Sequence, residues 1–302
     1  MSFLRPPGGI RLNKVPIVTL PFWVAKICAT TIGETFSMFL IHTLNLGNPV
    51  SIAIIFPIFL VVFASQLRLD KYVPAVYWLT ITIGSVLGTL IADQLGYEER
   101  IPMWIITTIF GVPYFLVLIM WYKFENTLSF EAVATFRREN FYWLAVLISF
   151  PFGTAAGDFI AEDCGFGYFH SFLVFASILC LFIGAWYYSK NKYLRVVTFW
   201  IAYIMTRPFG TVMGDWLTFD TSPHDVSEPK NEDSSGSGSG SGSSSGSGGV
   251  SASSMLGLGM DTWSISSIDA VIIVVLVIYF TATKRDVLEQ AVAPMNLHSQ
   301  SE

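Results

Sequence analysis

Six ionisable side chains lie inside otherwise apolar stretches of this chain: Lys26, Glu34, Asp93, Asp158, Arg207 and Asp215. Each charge at the centre of a bilayer costs about 2.5–3.5 kcal/mol on insertion scales, so all six are expected to face a bundle interior or water, paired or coordinating something. Carboxylates held in this way bind or relay a small cation. The expected ion-binding set is Glu34, Asp93, Asp158 and Asp215, with Lys26 and Arg207 as counter-charges that replace the cation in the empty state. A hard divalent ion would want several carboxylate and carbonyl oxygens, whereas a proton needs only the acids; no particular metal is assigned. The plainer alternative is that Lys26 and Arg207 neutralise two acids in buried pairs and that the remaining acids sit in wet outer vestibules. Asp269, at the start of the last apolar run, is set aside as a wet charge.

A repeat sets the positions of these acids. Trp23, Trp78, Trp143 and Trp200 are each followed ten residues later by a glycine: Gly33, Gly88, Gly153 and Gly210. The last three are followed fifteen residues later by Asp93, Asp158 and Asp215. The first copy diverges, with Met38 in place of an aspartate and Glu34 directly after its glycine. Fifteen residues of helix rise about 22 Å. With the tryptophans near the inner interface, the aspartates fall in the outer part of the membrane, and Glu34 lies deeper, level with Thr89, Thr154 and Thr211. Glu162 shares a helix face with Asp158, but it is read with Asp163 as a solvated loop charge. His170 begins the next helix beside this acidic mouth, and His42 is read as a wet hydrogen-bonding group.

Gly153/Gly157 and Gly210/Gly214 are small residues four apart, the spacing that lets membrane helices approach closely. Pro151 and Pro208 precede them and are expected to kink their helices, freeing carbonyls as ligands or hinges at mid-membrane. Trp23, Trp78, Trp143 and Trp200 read as interface anchors, with cation–π recognition as the lesser option.

Composition sets the environment in which this chemistry would operate. Of 302 residues 53% are hydrophobic and only 13% charged, against about 25% charged in soluble domains, so the chain is expected to be an integral membrane protein whose main partner is the lipid bilayer. The net charge of −5 comes in large part from the polar segment 220–233 and implies no acidic or basic partner. No basic run could neutralise a phosphate backbone, so nucleic acid is excluded. Cys28, Cys164 and Cys180 are scattered and read as apolar packing residues, with neither a disulfide nor a zinc site expected. The N-terminus lacks a signal-peptide core, so the first span is expected to be retained. There is no H-E-x-x-H, G-x-S-x-G or phosphate-cradling loop; no enzyme and no cofactor are expected.

Apolar runs predict spans at 16–44, 49–67, 72–96, 102–122, 140–162, 168–189, 193–218 and 264–283. The predicted fold is an all-α polytopic membrane protein of eight transmembrane helices, arranged as four parallel two-helix repeats over 16–67, 72–122, 140–189 and 193–283. The last is interrupted by an external loop, 219–263, whose SSGSGSGSGSSSGSGG core at 234–249 is a flexible natural insertion or an introduced linker. Thirteen of the 17 lysines and arginines fall in the tails 1–15 and 284–302 and in alternate loops. That asymmetry predicts cytoplasmic termini and a plasma or inner membrane location. The motif helices are expected around a pseudo-fourfold or pseudo-twofold axis, with the plainer helices toward lipid; a homo-oligomer is left open.

The motifs KVP at 14–16, FWVAK and TTIGET in the first copy, RRENFYW with GTAAGD in the third, and TRPFG with GDW in the fourth occur in order. In these residues the chain resembles bacterial integral membrane proteins built from four tandem two-helix repeats of unknown function. The resemblance covers 14–218 and 264–285 and implies the eight-helix fold and a membrane location, but no activity. Two departures from it are Met38 and the long loop before the final helix. The function expected from the residues is a multi-pass transporter of a small cation, divalent metal or proton-coupled. The alternative is a non-transporting scaffold or sensor.

Overall fold

The computed structural model describes residues 13–129, 133, 135–219 and 257–284. The expectations for Arg5, Arg11, Lys230, Arg285, most of the 219–263 loop and the C-terminal tail fall outside the described residues. Eight helices follow in order: α1 (Leu20–Met38), α2 (Asn48–Arg68), α3 (Pro74–Asp93), α4 (Met103–Glu125), α5 (Phe136–Asp158), α6 (Gly167–Tyr188), α7 (Lys192–Thr218) and α8 (Thr262–Thr283). All are long and apolar enough to cross a membrane; the odd-numbered ones are mostly enclosed and the even-numbered ones mostly exposed. The chain is an all-α multi-pass membrane protein.

The odd helices close a ring in the order α1, α3, α5, α7 and back to α1. One contact, made four times, builds it. A β-carbon on Gly33 would fall on Ser85, one on Gly88 on Phe150, one on Gly153 on Arg207, and one on Gly210 on Thr30. Each partner lies seven residues after the tryptophan of the next copy. Glycine lets the backbones touch where any side chain would hold them apart, and four identical steps make the axis pseudo-fourfold. Each even helix packs mainly on the odd helix that follows it: α2 on α3, α4 on α5, α6 on α7, and α8 on α1. Packing pairs are therefore offset by one helix from the pairs that repeat in sequence, and α8 must return to α1 to complete the outer layer.

The tryptophans are not interface anchors. Trp23, Trp78, Trp143 and Trp200 are all buried, and each meets the aromatic residue that precedes the tryptophan of the previous copy. Ring centroids are 5.5 Å apart for Phe22–Trp78, 5.8 Å for Tyr77–Trp143, 6.5 Å for Tyr142–Trp200 and 5.9 Å for Phe199–Trp23. Phe63, Trp121, Trp186 and Phe280 of the even helices cover the outer side of this layer. The depth expected from sequence concerned only position along a helix. The side chains turn inward because an aromatic ring buries 150–250 Å² in a packed layer, by general magnitude, and loses that contact against lipid.

α1 begins at Leu20 rather than at 16, because Thr19 is extended and Pro21 occupies the first turn, where its missing N–H is harmless. Helices α5 and α7 run on through Pro151 and Pro208, so neither proline ends its helix. A proline removes a single hydrogen bond, and Phe150, Pro151 and Pro208 are clamped against Gly88 and Gly157. The irregularity lies further along. π-helical turns at Phe39–Thr43, Gln94–Glu98 and Phe159–Asp163 end the first three motif helices, and left-handed residues Asn45, Arg100 and Gly165 then reverse the chain. At the end of α7 the carbonyls of Trp216, Leu217 and Phe219 instead accept the N–H groups of Leu258, Met260 and Gly259.

Candidate functional site

Glu34, Thr89, Thr154 and Thr211 occupy the same position in the four motif helices, directly after the ring glycines. The ring therefore brings all four to the axis at one level. Thr89 Oγ1 donates to Glu34 Oε2 at 3.4 Å, Thr89 and Thr154 hydroxyls are 3.1 Å apart, and those of Thr154 and Thr211 are 3.3 Å apart. The contacts of Gly210 and Gly214 with α1 bring Thr211 to the other flank of Glu34, so the four side chains stand in a circle about the axis. All four residues are buried. Gly214 lies against the Glu34 stem: a β-carbon there would come 2.9 Å from Glu34 Cβ and Cγ.

Asp158 and Asp215 are buried one turn further out, and Asp93 at the same level is half-buried. Asp158 lies within electrostatic range of Asp215, Glu34, Glu162 and Asp93, so the acids form one group. Met38, in the fourth position, receives the Thr218 hydroxyl at 3.5 Å from its sulfur. Beyond this layer a vestibule of about 500 Å³ opens between Gly96, Tyr97, Arg100, Met103, Glu162 and Asp163. Glu162 is no free loop charge: its Oε1 accepts the Tyr97 hydroxyl at 3.0 Å and the Tyr168 hydroxyl at 2.7 Å. Asp163, His42 and His170 are exposed. Among the described residues no three of His, Cys, Asp and Glu gather closely enough to hold a metal ion.

Lys26 and Arg207 are buried on the opposite side of the ring, toward the aromatic layer. The buried-pair alternative is not formed: ion pairs occur at Lys14–Glu139, Arg137–Glu125 and Arg138–Glu125, and among the described residues neither Lys26 nor Arg207 meets an acid at ion-pair distance. Lys26 Nζ lies 4.0 Å from the centroid of Tyr203, and the Arg207 guanidinium 3.4 Å from that of Phe150. Arg207 also donates to Ser85 Oγ at 2.9 Å.

A family model described as Repeat of Unknown Function (DUF347) matches residues 21–72, 141–192 and 198–286. The chain belongs to the DUF347 repeat family. No curated protein and no solved structure matches it. The matched segments hold the Trp23, Trp143 and Trp200 copies; the ring contacts made by Gly33, Gly88 and Ser85 add α3, with Trp78 and Asp93, as a further structural copy of the same unit.

Sequence reasoning missed several residues at this DUF347 site. Ser85, Phe150 and Thr30 share the register of Arg207, and aligning the copies at that position would have found them. Asp269 is not wet: it is 9% exposed, and Ser266 one turn earlier bonds Thr35 of α1 at 2.7 Å. The polar face of α8 is turned onto α1 and away from solvent. Among the cysteines only Cys28 packs in the core; Cys164 and Cys180 are exposed. No local signal announced the pair Lys14–Glu139, which is buried with Nζ–Oε distances of 2.8 Å and holds the extended segment before α1 against the first turn of α5.

Proposed function

We propose that this protein moves a small cation across the membrane in a proton-coupled manner, with Glu34, Asp93, Asp158 and Asp215 as the relay carboxylates. The observation that carries the reading is the hydrogen-bonded chain Glu34–Thr89–Thr154–Thr211 at the axis. A carboxylate in line with three hydroxyls can accept a proton or offer its oxygens to a small cation while the hydroxyls reorient. Glu34 with and without that proton or ion gives two states that differ by one positive charge. The three aspartates stand between it and the vestibule, on the path that such a charge would take, and a step carrying one charge at a time suits a site where, among the described residues, no three acids, histidines or cysteines gather as a metal cage. The aromatic layer and the two cations close the other end, so the conformation suits an alternating-access carrier better than an open pore.

By the distribution of basic residues the aromatic end faces the cytoplasm. The protein, reconstituted in liposomes, should dissipate an imposed pH gradient when a mono- or divalent counter-cation is supplied, and Asp158→Asn should abolish that flux while the protein stays folded. Wild type inert across the cation panel and both gradient directions would defeat the reading. The scaffold alternative has one observation in its favour: Arg207 stacks on α5 and bonds α3, which fixes helix positions. It predicts that Asp158→Asn loses stability first.

A further inference from the structure

Two buried cationic side chains lie between the aromatic layer and the Glu34 circle, and the relay does not use them as ligands. Lys26 is fully buried and Arg207 3% exposed. Lys26 Nζ has no hydrogen-bond acceptor, and neither do Nε and Nη2 of Arg207. The remaining guanidinium nitrogen is the donor to Ser85. Both cations lie over the ring of Phe150, Nζ at 5.6 Å and Cζ at 3.4 Å from its centroid. A π face offsets only part of the hydration that an ammonium and a guanidinium lose on burial.

The acids of the outer layers do not supply the missing charge. Glu34 follows Lys26 and Asp215 follows Arg207 by eight residues on the same helices, about 12 Å of rise, and no ion pair joins them. The unused atoms also have a definite geometry. Nε and Nη2 form the side-on fork of the guanidinium, which meets the two oxygens of a planar carboxylate with parallel hydrogen bonds. Lys26 comes from α1, which packs on α7 beside it, and adds a point charge with free donors. The two cations are bounded below by the aromatic layer, where the Tyr77 and Tyr142 hydroxyls are 2.6 Å apart, and above by the Glu34 circle, and both are almost fully buried, so only a small ligand could reach them.

We propose that Lys26 and Arg207 form a binding site for a small monovalent oxyanion of the carboxylate type, formate or acetate in size. The site does not rest on the cation reading, because binding is measured without flux. The full chain, purified in detergent in gluconate buffer, is titrated with sodium acetate at constant ionic strength while its unfolding temperature is followed. Acetate should raise that temperature by roughly 3 °C, saturably, with gluconate inert because it is too large to reach two buried side chains. Lys26→Met should remove the response. Arg207→Lys keeps the charge but loses the fork, and should weaken acetate binding at least about tenfold. Identical melting of the wild type in acetate and gluconate would overturn the proposal, as would an undiminished response in a folded Lys26→Met or Arg207→Lys protein. The wild-type comparison decides the matter even if neither variant folds.

Discussion

The backbone of Gly153 packs directly on the β-carbon of Arg207, and the same glycine-to-neighbour contact joins Gly33 to Ser85, Gly88 to Phe150 and Gly210 to Thr30. A methyl group at 153 has no room, and the obstructing atoms are the stem and backbone of Arg207 and not a flexible tip. Gly153→Ala is therefore expected to destabilise the protein by about 1–3 kcal/mol, as overpacking does. Gly184→Ala, where nothing lies within 4 Å of the added carbon, should change stability by less than about 0.5 kcal/mol. Thermal unfolding in detergent compares the two, and equal effects would refute the ring contact.

Thr154 lies in the middle of the hydroxyl chain, bonded to Thr89 on one side and Thr211 on the other. Thr154→Val keeps the shape and removes the hydrogen-bonding group. Stability should fall by about 1–2 kcal/mol, while cation or proton flux should fall by about tenfold or more. Flux unchanged in a folded Thr154→Val protein would separate the circle from the transport path.

Lys14 and Glu139 are both about 3% exposed, and the pair ties residues 125 apart in sequence. Lys14 also donates to the Leu67 carbonyl at 3.2 Å. Lys14→Met leaves a buried carboxylate unpaired and should cost about 3–5 kcal/mol. The double variant Lys14→Met with Glu139→Leu should recover most of that loss, because it removes the stranded charge. A double variant no more stable than the single one would show that the pair does more than neutralise itself.

Cys164 is exposed at the turn before α6, on the aspartate end, whereas Cys28 is buried and Cys180 sits within α6. A membrane-impermeant maleimide applied to intact cells should modify Cys164 if the aromatic end is cytoplasmic, and Cys164→Ser should remove the label. Modification only after the membrane is opened would invert the orientation.

Much of the architecture was legible locally. Length and apolarity mark eight spans whatever their neighbours are, and the Trp–Gly–Asp spacing sets which residues share a level along a helix. Glu34, Thr89, Thr154 and Thr211 could be read as level for that reason. The face each residue presents was not legible. Trp23, Trp78, Trp143 and Trp200 read as interface anchors and turn inward, and Asp269 read as wet and turns onto α1. Depth follows from counting residues, but orientation about the helix axis is set by what the helix packs against.

The sequence by itself determined the number of spans, their parallel fourfold repeat and the level of every intramembrane charge, because rise per residue and hydrophobic length are properties of a single helix. Only the tertiary structure decided that the four motif helices close a ring, that each plain helix serves the next repeat, and that Lys26 and Arg207 rest on aromatic rings instead of pairing with the acids. Those outcomes depend on residues from different helices meeting across the axis: Gly153 on Arg207, Thr89 on Thr154, Lys26 on Tyr203. Close packing selects one such set of neighbours, and it does so through backbone approach at glycine, which spacing along one chain segment cannot express.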